Sequence, residues 1–88
     1  MATFDVAHIN EQGQNIIIVL VSHQLTPMQE RTLQLCANTA GLAGVVVPVW
    51  PHGMGMFGFS APIQWHSYFR SLFWEDILMN VNTRLTCG

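Results

Sequence analysis

Asn15-Ile16-Ile17-Ile18-Val19-Leu20-Val21 runs directly into Ser22-His23-Gln24-Leu25-Thr26-Pro27-Met28-Gln29. The first half is an unbroken aliphatic run rich in β-branched residues. It has no polar face, so it suits a strand buried on both sides. The second half carries the start signals of a helix. Thr26 can cap with its hydroxyl, and Pro27 fits the first helical position. Gln29 lies three residues past the cap, where a capping box needs it. A doubly buried strand feeding a capped helix predicts an α/β fold with a partly parallel sheet flanked by helices.

Working outward, Thr3 to Ile9 alternates, with Phe4, Val6 and His8 on one side, and residues 10–14 are a turn signal. These features predict an antiparallel hairpin of the first two strands. The helix after Thr26 is expected to present Met28, Thr32, Leu35, Cys36 and Thr39 on one face and to stop at Gly41. Val45-Val46-Val47 opens a third strand, in which Pro48 limits pairing or marks an edge. Residues 52–59 read as a glycine-rich loop carrying Met54, Met56, Phe57 and Phe59. A second helix is expected from the Ser60 cap near Pro62 to about Glu75. Its apolar residues (Ile63, Trp65, Tyr68, Phe69, Leu72, Phe73 and Trp74) cover more than one face, so part of it needs a second cover. Ile77 to Leu85 reads as the last strand. The expected order is β-β-α-β-α-β, a single small Rossmann-like domain over residues 1–88. Ligands of such sheets bind beyond the carboxyl ends of the strands, where Ser22-His23-Gln24 would lie.

Composition narrows the function classes. Of the 88 residues, 50% are hydrophobic and only 9% charged, with three arginines and no lysine. So little charge on so small a domain predicts a covering partner, most simply a second copy in a homodimer or higher homo-oligomer. The net charge of −2 and the lack of a basic run argue against a long nucleic acid. A short ligand with few phosphates remains compatible, because a helix start can hold it. Cys36 and Cys87 read as isolated, without metal spacing or a dense disulfide framework, and Cys36 as a small core residue. The first twelve residues lack a signal-peptide pattern, and Ile16 to Val21 is too short to span a bilayer. A cytoplasmic protein with no membrane contact is expected.

The turn before the helix concentrates the chemistry. Ser22, His23, Gln24 and Thr26 can all hydrogen-bond, beside unpaired helix N–H groups that attract an anion. Capping alone accounts for Thr26, whereas His23 is placed for recognition or acid–base work. His8, His52 and His66 are scattered, so no zinc site and no metal or other cofactor is expected. Glu30, Glu75 and Asp76 read as solvated. The loop from His52 to Gly58 lacks the ending of a phosphate loop, and its methionines and aromatics suit an interface or a lid over a base. Asn80 and Asn82 would share one face of the last strand, where asparagines need partners, and Asn80 is a candidate ligand contact. Arg84 could neutralise a phosphate or simply be solvated.

The run from Ile17 to Gln29 resembles the first strand, turn and helix of small stand-alone CRISPR-associated Rossmann-like (CARF-type) ancillary proteins of type III systems. Their opening reads as an apolar strand, then Ser-His-x-Leu-Thr, then a glutamine; Ser22, His23, Leu25, Thr26 and Gln29 stand in those places. Ile77 to Asn82 is similar to the family's late strand, which ends near an asparagine. The resemblance implies binding of cyclic oligoadenylate across a homodimer, with slow metal-independent cleavage as a ring nuclease or sequestration of the messenger. It implies ligand contacts from Ser22, Gln24, Thr26, Gln29 and Asn80, with His23 moving a proton. The alternative expectation is a small interaction protein that binds a protein partner through Trp65, Phe69 and Phe73 of the aromatic second helix.

Overall fold

The structure is a computed structural model and describes residues 2–88. Two strands open the chain, β1 (Ala2–Glu11) and β2 (Gln14–Leu20), paired antiparallel as a hairpin. Gln12 and Gly13 both have positive φ, 53° and 78°, the mirror-image two-residue turn whose twist matches that of the strands. Helix α1 (Pro27–Thr39) then crosses over to β3 (Val45–Pro51), which pairs parallel to β2. A short β4 (Phe57–Phe59) folds back antiparallel onto β3. Helices α2 (His66–Arg70) and α3 (Trp74–Met79) lead to β5 (Thr83–Cys87), antiparallel to β1. The sheet order is β4-β3-β2-β1-β5, so the fold is α/β with a five-stranded mixed sheet and one parallel pair.

The central β2 explains the layering. Its residues Ile16 to Val19 are all at most 1% exposed, and their alternation feeds two separate cores. Ile17 and Val19 pack with Leu33 and Ala37 of α1 on one face. Ile16 and Ile18 pack with Phe69 of α2 and Ile77 of α3 on the other. Pro48 sits inside β3 without breaking the β2 ladder. Its carbonyl accepts the Ser60 N–H at 3.1 Å. The N side of a strand residue points the same way as its carbonyl, so the missing donor faces the β4 side, where pairing is already ending.

Several expectations need correction, beginning with the loop expected over residues 52–59, whose last three residues form β4. The buried face of α1 is Leu33 and Ala37 with Cys36 half-buried, while Met28 and Leu35 stand 77% and 66% exposed. The small Ala37 lets the helix approach the sheet closely, and that selects one of two weak stripes. The cysteines are not isolated: Cys36 of α1 and Cys87 of β5 form a disulfide, with Cα atoms 5.8 Å apart. The long second helix is broken. Ser71 donates its hydroxyl to the Tyr68 carbonyl at 2.6 Å, and Asp76 accepts the Phe73 N–H at 2.8 Å, so one helix ends and another begins. That break lets both short helices lay apolar residues on one sheet face, which a single straight helix could not do. The last strand therefore starts at Thr83, because Ile77 to Met79 complete α3. Among the described residues no helix is long and apolar enough to cross a membrane.

Candidate functional site

The segment after β2 is held at both ends. The Val21 N–H donates to the Val49 carbonyl at 2.8 Å, carrying the β2–β3 ladder one residue past the strand. Four residues on, Leu25 is half-buried against the core under α1. Between these anchors Ser22, His23 and Gln24 are exposed. Ser22 Oγ and His23 Nδ1 lie 2.9 Å apart, in hydrogen-bond contact. A hydroxyl and an imidazole are thus oriented by each other and open to solvent, an arrangement able to bind a polar ligand or relay a proton.

Thr26 and Gln29 are engaged in the helix start. The Gln29 N–H donates to Thr26 Oγ1 at 3.2 Å, and the Thr26 N–H donates to Gln29 Oε1 at 2.9 Å. This reciprocal capping box uses the acceptor side of both groups. The Thr26 hydroxyl proton and the Gln29 amide N–H groups are what remain for a ligand.

A groove of 510 Å³ opens on the same side of the turn. Phe4, Leu25, Met28, Leu33 and Cys87 line it, with Thr26 and Gln29 also contributing. No described lining residue is charged. β1 begins here, opposite the end of β2, and β5 ends here beside Ala2. The groove therefore lies at the carboxyl ends of β2 and β5, the end of an α/β sheet where ligands usually bind. Sequence reasoning could not find it. Its walls come from residues more than fifty positions apart, and no local spacing joins Phe4 to Leu25 to Cys87.

Asn80 is not part of this site. It ends α3, donating its side-chain N–H to the Asp76 carbonyl at 2.7 Å. Its neighbour Asn82 pairs with the backbone of His8, accepting the N–H and donating to the carbonyl, both at 2.9 Å. His8 faces Ile17, whereas the turn lies beyond Val19, opposite the start of β1. The two regions are separated by about five strand residues, about 17 Å. The partners that asparagines need are here backbone groups, in α3 for Asn80 and in β1 for Asn82.

Other candidates resolve into local roles. Arg84 pairs with Asp5 at 3.6 Å on an exposed sheet face, a contact of small energetic weight. Glu30 is half-buried and accepts the Ser60 hydroxyl at 2.5 Å, tying α1 to the segment after β4. His66 Nε2 contacts the Ala61 carbonyl at 3.0 Å, and its ring meets Phe59 edge-on at 5.4 Å. Phe69 is fully buried, its ring stacked on Phe59 at 5.3 Å, so it belongs to the core and not to an open interface. Burial, and then the nearby Glu11 carboxylate, push the Tyr68 hydroxyl above the usual phenol range. Among the described residues no group of three His, Cys, Asp or Glu side chains is placed to hold a metal ion. No family model, curated protein or solved structure matches the chain.

Proposed function

We propose that the chain binds cyclic oligoadenylate, most simply cyclic tetra-adenylate, at the Ser22–Gln29 turn, and so modulates type III CRISPR signalling. The observation that carries this reading is the exposed Ser22–His23 pair beside an uncharged groove at the carboxyl ends of β2 and β5. An adenine face suits the apolar wall of Phe4 and Leu25, while a phosphodiester suits the hydroxyl, the imidazole and the helix start. The β2–α1–β3 crossover supports a Rossmann-like grouping, although the sheet has one parallel pair only. A two-fold homodimer would offer the same turn twice to a ligand with repeated phosphates.

Cleavage would follow from positioning. The ribose 2′-oxygen attacks the adjacent phosphorus, and the bond to the 5′-oxygen breaks. The products are a 2′,3′-cyclic phosphate and a 5′-hydroxyl. His23 would carry the proton from the first oxygen toward the second. The ligand set narrows to Ser22, His23, Gln24, Thr26 and Gln29, without Asn80.

This function belongs in the cytoplasm, where thiol buffers keep most cysteines reduced. The Cys36–Cys87 bond counts against it unless the reduced chain also binds. The test is therefore calorimetric titration of both redox forms with cyclic tetra-adenylate and cyclic hexa-adenylate, followed by analysis for linear products. Binding that is lost in Ser22→Ala/His23→Ala supports the proposal, and product formation separates a ring nuclease from a sponge. Absence of binding in both forms refutes it.

A second function is favoured by a specific observation. Ile63, Phe73 and Met79 stand 83%, 70% and 84% exposed around α2 and α3. Those residues, rather than Phe69, would serve an interaction protein such as a viral inhibitor or an assembly subunit. Phe73→Glu then changes the mass seen by light scattering, with or without the candidate partner, while leaving the nucleotide titration untouched.

A further inference from the structure

The hairpin joining β3 to β4 carries side chains that the fold does not use. Its paired residues are Val49 with Phe59, Trp50 with Gly58 and Pro51 with Phe57. The next pair is His52 with Met56, closed by the His52 N–H donating to the Met56 carbonyl at 2.9 Å. Opposed residues of an antiparallel pair project from the same face, with Cβ atoms about 5 Å apart. Met54 stands at the tip between Gly53 and Gly55, and all three residues have positive φ. The Met56 N–H donates to the Gly53 carbonyl at 2.9 Å and tightens the loop. Met54 is completely exposed and Met56 is 64% exposed. Met54 thus adds nothing to the core, and it holds a left-handed backbone conformation that a side chain rarely adopts.

We propose that His52, Met54 and Met56 form a binding site for a soft monovalent metal ion, Cu(I) or Ag(I). Two thioethers and one imidazole match the ligand preference of such ions and suit hard cations poorly. Residues 50–59 contain no carboxylate, so the ligand set is neutral and fits a single positive charge. Trp50 lies on the same face two pairs further along, and it packs against the core under α1. A Cβ at Gly58 would fall within its indole, so that ring lies across the glycine. The glycines on either side of Met54 let its thioether swing over the pair. Both cysteines are locked in the disulfide, so no thiolate competes for a soft ion.

The test is titration of the oxidised protein with Ag(I) nitrate in chloride-free buffer, read by calorimetry and by methionine-methyl NMR. Cu(I) is then placed in competition with a chromogenic Cu(I) chelator. The expected result is one ion per chain, with shifts of the Met54 and Met56 methyls and the His52 ring and none at Met28 or Met79. Met54→Leu/Met56→Leu keeps side-chain size and should weaken binding by at least about 100-fold, since losing even an outer-shell partner costs a metal site about tenfold. Met28→Leu/Met79→Leu should bind like the parent protein. Lack of binding, equal binding by Met54→Leu/Met56→Leu, or shifts confined to Met28 and Met79 would each overturn the proposal.

Discussion

Breaking the Cys36–Cys87 bond should remove a large part of the stability of this domain. The bond joins the middle of α1 to the end of β5 across a sequence separation of 51. Closing a loop of that length in the unfolded chain is worth about 4 kcal/mol at 25 °C on the chain-entropy estimate. A domain of this size has roughly 4–13 kcal/mol in total. With a urea slope of about 1–2 kcal/mol per molar, the midpoint should fall by about 2–4 M. The assay compares urea melts of the oxidised protein, the fully reduced protein and Cys36→Ala/Cys87→Ala, with the redox state verified by thiol alkylation and mass. β5 is an edge strand paired only to β1. Hydrogen exchange should therefore rise first at Thr86 and Cys87, before the centre of β2. The groove should loosen with them, because Cys87 lines it. Coincident melts of the oxidised and reduced forms would refute the reasoning, since a cross-link present only in one of them must change the unfolded ensemble.

Two further predictions concern the face under α2 and α3. Phe69→Ala should cost about 3–5 kcal/mol as a buried aromatic is lost, whereas Phe73→Ala should stay within about 0.5 kcal/mol; equal urea midpoints for the two variants would contradict the packing of α2. Tyr68 is the only tyrosine, so the phenolate absorbance reports it alone. It should ionise above its ordinary value of 10.0, chiefly because burial disfavours the phenolate, and Glu11→Gln should lower the midpoint only in part. Because the folded value is the higher one, the associated stability is intact below the unfolded value and is lost as pH rises through the folded one. A midpoint at or below the free-tyrosine value would exclude the burial of that ring.

Much of this architecture is legible locally. The run from Ile16 to Val21 specifies a doubly buried strand, because no residue in it could face water at low cost. The capping box of Thr26 and Gln29 and the turn at Gln12-Gly13 are equally local, since each is satisfied by atoms within four residues. The exposed Ser22-His23 turn follows from those two boundaries. Other features depend on residues far apart in the chain. Cys36 meets Cys87 only because β5 returns to the far edge of the sheet beside β1. The break between α2 and α3 is made by the short-range bonds of Ser71 and Asp76, which a reading of apolar periodicity does not register. Asn80 and Asn82 look like strand residues until Asn82 takes the backbone of His8 as its partner. The sequence by itself determined the elements built from neighbouring hydrogen bonds and unbroken apolar runs. Tertiary structure decided the disulfide, the groove and the buried face of α1, because each depends on which distant surfaces the crossover brings together.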